Sequence, residues 1–171
     1  MKKLVCMFLL SSAAPALARS LKAETPWVQP SLTYVGSGNW RSDEAKVKGG
    51  KYTASMAITQ ISATENQVDQ TYTDSSGMFT SWSYNAVQRP SKPSYYDLYV
   101  NGAVAGWGYC FAVQKGKKCH YNVSVDGIDH DLWFTVNGFN LLRYGSHTDS
   151  NGNHIIFREN LIVQNPPSPK E

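Results

Sequence analysis

Between Leu32 and Val163 the chain is cut into short pieces by turn-forming residues. Gly49-Gly50, Ala63 to Asn66, Asp74 to Gly77, Arg89 to Pro93, Asn101-Gly102, Lys115-Gly116, Asp126-Gly127, Asn137-Gly138 and Ser150 to Asn153 punctuate it in turn. A spacing of about 8–12 residues marks an all-β sandwich or barrel of short strands. Asn-Gly is a strong hairpin signal, because both central residues of a type I′ turn need positive φ. The pieces between turns alternate, as strands with one buried face must. "KYTASMAI" sets Tyr52, Ala54, Met56 and Ile58 against Thr53 and Ser55, and "CHYNVSVD" sets Cys119, Tyr121, Val123 and Val125 against His120, Asn122 and Ser124. "MFTSWSYNAV" groups Met78, Trp82, Tyr84 and Ala86. No stretch after Ala18 carries a helical period.

Nearly every connection is short, so consecutive strands are expected to pair as antiparallel neighbours. The fold class this predicts is a single all-β domain over residues 32–163, an antiparallel up-and-down β-barrel of about ten strands. Closing the meander removes exposed edges. The alternative is a two-sheet β-sandwich, but that architecture normally needs Greek-key crossovers, and no connection here is long enough to make one.

The ends of the chain read differently. In "MKKLVCMFLLSSAAPALA", Lys2 and Lys3 precede an apolar run from Leu4 to Leu10 and a small-residue cleavage site at Ala16-Leu17-Ala18. This is the pattern of a bacterial-type signal peptide over residues 1–18. The run is far shorter than the ~20 residues of a spanning helix, so no membrane span is expected. Residues 19–31 read as a loose arm with two prolines, and residues 164–171 as a disordered Pro-rich tail. The expected location is therefore periplasmic or secreted. The chain has 16 Lys and Arg against 13 Asp and Glu, and removal of Lys2 and Lys3 brings the balance close to neutral. That leaves no basic field for nucleic acid.

Cys110 and Cys119 remain after cleavage, and in an oxidising compartment two thiols without CxxC spacing point to a disulfide. The register decides whether it can form. A two-residue turn at Lys115-Gly116 places the cysteines diagonally and too far apart, whereas a turn centred one residue earlier sets them opposite. A bond closing so short a loop contributes ~2–3 kcal/mol by loop entropy.

On the first predicted strand stand Gly38-Asn39-Trp40, followed by Arg41. This resembles the G-x-W signature of the calycin superfamily, which includes lipocalins, fatty-acid-binding proteins and avidins. The resemblance implies that Trp40 packs across a closed barrel end. It also implies a basic residue from near the last strand on the indole face, with Arg158 first choice and Arg143 second. The helix that usually follows the eighth lipocalin strand and the helical lid of fatty-acid-binding proteins have no counterpart here, so no family within the group is assigned.

No G-x-S-x-G elbow, P-loop or H-E-x-x-H is present, so no catalytic residues are expected and the balance leans away from an enzyme. Four histidines (His120, His130, His147, His154) lack ligand spacing, although His147 and His154 flank one hairpin and could approach across it. "DSNGN" at Asp149–Asn153 is like a piece of a calcium loop, but Asn160 stands where the closing carboxylate belongs, and a hairpin turn explains it. No metal site and no cofactor are expected. Aromatic residues carry the remaining signal. If the inward face of strand 104–113 is Trp107, Tyr109 and Phe111, then with Trp82, Tyr84 and Met56 it forms an aromatic-lined chamber open at the end away from Trp40. The expected function is an exported lipocalin-like barrel binding a small apolar or amphipathic ligand. The alternative is an exported protein-binding module, an inhibitor or envelope accessory protein.

Overall fold

The computed structural model describes residues 31–44 and 49–164. The proposed signal peptide, the arm up to Pro30 and the tail beyond Gln164 lie outside the described residues. Ten strands follow one another: β1 (Leu32–Ser42), β2 (Gly50–Gln60), β3 (Glu65–Asp74), β4 (Phe79–Arg89), β5 (Lys92–Val100), β6 (Ala103–Val113), β7 (Gly116–Val125), β8 (Ile128–Asn137), β9 (Asn140–Thr148) and β10 (His154–Val163). Each pairs antiparallel with its neighbour in sequence, and β1 pairs with β10 to close the barrel. The up-and-down barrel holds, and the sandwich does not.

Two of the dipeptide turns take the conformation their sequences demand. Asn101-Gly102 has φ of 50° and 78°, and Asp126-Gly127 has 52° and 78°, as in type I′ turns. In the β6–β7 hairpin Val113 pairs with Gly116, so the turn is Gln114-Lys115 and Cys110 lies opposite Cys119. The two cysteines form a disulfide there.

The strand parity of β2, β4, β7 and β10 follows the alternation of their sequences. Met56, Tyr84, Tyr121, Leu132, Phe134 and Leu161 are fully buried. β6 departs from the expectation. Its inward residues are Gly108 and Cys110, while Trp107 and Phe111 are each 42% exposed on the outer wall. Tyr109, which shares their parity, stacks between them. The aromatic set expected inside therefore faces out. The cause is volume: a side-chain carbon at Gly106 would run into the Asn122 carbonyl, and one at Gly108 into the Tyr121 ring. The small face of β6 turns inward because Tyr121 of β7 already fills that space. Outside, a ladder forms instead. Tyr95 and Phe111 flank Tyr109, His120 stacks on Trp133 at 4.2 Å, Trp133 stacks on Tyr144, and Lys118 Nζ sits 4.6 Å above the Trp133 ring.

The barrel is filled unevenly along its axis. At the end that carries the β2–β3, β4–β5 and β8–β9 turns, Tyr34, Ile58, Val68, Ala86, Leu98, Leu141 and Leu161 pack into a solid core. At the other end the wall is interrupted. β5 pairs with β4 only from Asn85 downward, and Phe79 to Tyr84 pair with β3 alone.

The orientation of β6 makes a direct prediction. Gly106→Ala forces a side chain into backbone and should cost ~1–3 kcal/mol, as overpacking does. Phe111→Ser, on the outer wall, should stay within about 0.5 kcal/mol. Urea denaturation of the two variants checks this, and the reverse order would mean that β6 faces the other way.

Candidate functional site: a chamber above a buried ion pair

Midway along the barrel, β9 and β10 place Arg143 directly opposite Glu159. Both point inward, with 1% and 0% exposure. Their ion pair is embedded in a polar layer. The Arg143 guanidinium donates to Glu159 Oε1, to Gln70 Oε1 and to the Tyr72 hydroxyl. Tyr52 donates its hydroxyl to Glu159 Oε1 at 2.7 Å, and Tyr72 donates to Gln70 Oε1. Arg143 also lies over the rings of Tyr72 and Phe157. Burial pushes the Tyr72 hydroxyl up to about 12, and burial with the neighbouring Glu159 carboxylate raises Tyr52 further, so both remain hydrogen-bond donors at any ordinary pH. Burial opposes the charge of Arg143, but Tyr72 and Glu159 outweigh it and hold the guanidinium above its ordinary value.

Above this layer the barrel is open. A chamber of about 480 Å³ is lined by Trp40, Tyr52, Tyr72, Trp82, Phe157 and Ile155, with His130, His147 and Glu159 among them, and Asp74, Met78, Asp126 and Asp149 border it. The Trp82 ring stacks on His130 at 4.9 Å, joining β4 to β8 where β5 and β6 fall short. His130 in turn lies 5.0 Å from His147. Desolvation, with the neighbouring His147 and Arg143, lowers His130 to about 4, and desolvation lowers His147 as well. Both imidazoles are neutral near pH 7. Two buried polar atoms on the chamber wall have no partner in the protein, Glu159 Oε2 and His147 Nδ1.

The expected site residues fall in three places. Trp82 borders the chamber, Met56 and Tyr84 are buried in the core, and Trp107, Tyr109 and Phe111 stand on the outer wall. The end assigned to Trp40 is also corrected. Trp40 is half-buried and lines the open end rather than sealing a closed one. Trp40 pairs with Phe157 across β1 and β10, so Arg158 has the opposite parity and is exposed. Arg143 is inside, but its guanidinium covers Tyr72 and Phe157. His147 lies against His130, and His154, exposed beside Asp43 at 3.9 Å, is near enough across the hairpin to act on His147 electrostatically. Asp149 closes its own hairpin by accepting from the Asn151 and Asn153 amides. Among the described residues no group of three or more His, Cys, Asp and Glu could hold a metal ion. No described helix is long and apolar enough to cross a membrane.

Glu159 is the residue that sequence reasoning missed. Its signal was parity: in "HIIFRENLIV" it falls on the same face as Ile155, Phe157 and Leu161, and a charged residue in an inward register needs a partner. Arg143 stands in the same way between Leu141 and Gly145.

No family model matches the chain, and no curated protein is detectably similar to it. Solved structures do resemble it in fold. They include an S-type phycobiliprotein lyase, CPES, from Guillardia theta, at 7% identity and a TM-score of 0.60, over 79% of this chain and 88% of that one. Rv2717c from M. tuberculosis is similar at 12% identity and a TM-score of 0.59, over 86% of this chain and 99% of that one. At these identities the likeness speaks for the fold alone.

Two predictions follow from the polar layer and the histidines. Arg143→Met leaves Glu159 buried without its cation and should cost ~3–5 kcal/mol, whereas the double variant with Glu159→Leu should recover most of that loss. Urea unfolding of the single and double variants reads the difference. The depressed His130 also sets a pH dependence. As pH falls from 6.5 toward 4 the unfolded chain binds a proton that folded His130 refuses, so stability declines across that window. In a pH series of thermal midpoints, His130→Phe should flatten the decline, and an unchanged slope would count against the burial of His130.

Proposed function

We propose that this protein is an exported, calycin-like barrel that binds a small amphipathic molecule in the chamber above Arg143 and Glu159. The observation that carries the reading is the chamber itself, about 480 Å³ with aromatic walls and a few inward polar atoms. That size and lining fit a small-molecule site, and a barrel of about ten strands is wide enough to hold one. Trp40 and Trp82 would be the contacting aromatics, with Glu159 and His147 orienting the ligand. The leader-like first residues and the Cys110–Cys119 disulfide support export to an oxidising compartment.

The outer wall favours a second reading, a protein-binding module. Tyr95, Trp107 and Phe111 are exposed together on one face, and interfaces draw on such aromatic residues.

The test is titration with a neutral apolar fluorophore, N-phenyl-1-naphthylamine. Saturable enhancement is expected. Trp82→Ala should weaken binding by roughly 3- to 10-fold, the worth of one aromatic contact, and Trp107→Ser should leave it unchanged. Absence of saturable binding, or its loss in Trp107→Ser alone, would reject the chamber as the site and favour the second reading.

A further inference from the structure

The chamber wall is one-sided in charge. Among the described residues that line it, Asp74, Asp126, Asp149 and Glu159 are carboxylates, and none is a lysine or arginine. Two of the rim carboxylates are held below the usual range by hydrogen bonds. The Ser76 hydroxyl and the Met78 amide do this for Asp74, and the Asn153 side chain and amide for Asp149. Arg143 stands one layer lower, outside the lining, and its guanidinium is engaged by Glu159, Gln70 and Tyr72. The two histidines add no positive charge near neutral pH.

Glu159 belongs to this lining, and one of its oxygens is buried with no partner. Its Oε1 accepts from Arg143 and Tyr52, while Oε2 is buried and unpaired on a residue that is 0% exposed. A buried carboxylate oxygen gains most from a charged N–H donor. Around it stand the faces of Trp40, Trp82, Tyr52 and Phe157, and aromatic faces attract cations. An acidic rim, an unpaired acceptor at the floor and aromatic walls all select the same sign of ligand.

We propose that the chamber selects a small hydrophobic amine, its protonated nitrogen donating to Glu159 Oε2 and its apolar frame held between Trp40 and Trp82. This rests on the chamber being the ligand site. It goes further by fixing the chemical class: an organic cation enters, and a carboxylate of the same shape is turned away. The rim carboxylates also draw the cation toward the mouth, an attraction that salt screens over about 10 Å at 0.1 M.

Three probes on one frame separate the outcomes: 1-naphthylmethylamine, 1-naphthylmethanol and 1-naphthylacetate, titrated calorimetrically at pH 7 and low salt. The amine is expected to bind roughly tenfold or more tighter than the alcohol, the range of a hydrogen bond to a charged group, and the acetate weakest. Glu159→Gln should remove most of the amine's advantage over the alcohol. Because Glu159 also pairs with Arg143, Asp126→Asn provides a variant that leaves the polar layer untouched, and asparagine suits the positive φ of that turn. It should weaken the amine and strengthen the acetate by a few-fold. Binding of the acetate as tight as or tighter than that of the amine overturns the charge selection while leaving the chamber as the site. If none of the three binds, the chamber reading fails with it.

Discussion

Arg143 and Glu159 face each other across β9 and β10 inside a barrel whose other inward residues are mostly apolar. Taking two charges out of water costs several kcal/mol per ion, and the pair recovers this only when hydrogen bonds satisfy what the ion pair leaves over. Gln70, Tyr52 and Tyr72 supply most of those bonds. They come from β2 and β3, which follow β10 and β1 around the wall, and Tyr52 reaches Glu159 over Gly38 of the strand between them. The polar layer therefore ties β9 and β10 to β2 and β3 around the strand order, past the seam where β1 closes the barrel, and apolar residues pack on either side of it.

Below the layer the interior closes over the buried side chains of Tyr34, Leu98, Leu141 and Leu161. Above it, Trp40 and Trp82 stand apart, and the β5–β6 hairpin ends too low to complete the wall. The stack of Trp82 on His130 bridges that gap with side chains where hydrogen bonds stop. Glu159, one of whose oxygens is unpaired, belongs to the chamber lining. The network is not fully satisfied: Glu159 Oε2, Arg143 Nε and Gln70 Nε2 are buried without partners.

Much of the architecture is written in local pattern. Turn dipeptides and period-two alternation locate the strands, because each hairpin closes on its own residues and one buried face repeats every second position. The cysteine register was legible up to a single residue, the difference between a turn at Lys115-Gly116 and one at Gln114-Lys115. The site was harder to read, for two physical reasons. β6 has large residues on one face and small ones on the other, and hydrophobicity alone sends the large ones inward. What reverses it is the bulk of Tyr121 on the neighbouring strand, a fact of packing between strands. Glu159 and Arg143 were visible by parity, but their pairing needs the β9–β10 register and the closure of the barrel. Which end stays open depends on how far β5 and β6 reach, and hairpin lengths read strand by strand do not reveal that.

The polar layer divides the barrel into a filled half and a half that holds the chamber. The most direct measurement is a crystal soaked with a bromine-labelled naphthylmethylamine and read by anomalous scattering. The account predicts one bromine peak between Trp40 and Trp82, with the amine nitrogen within hydrogen-bond distance of Glu159 Oε2. A peak on the outer wall beside Trp107 and Tyr109, with the chamber filled by the protein's own side chains, would contradict it.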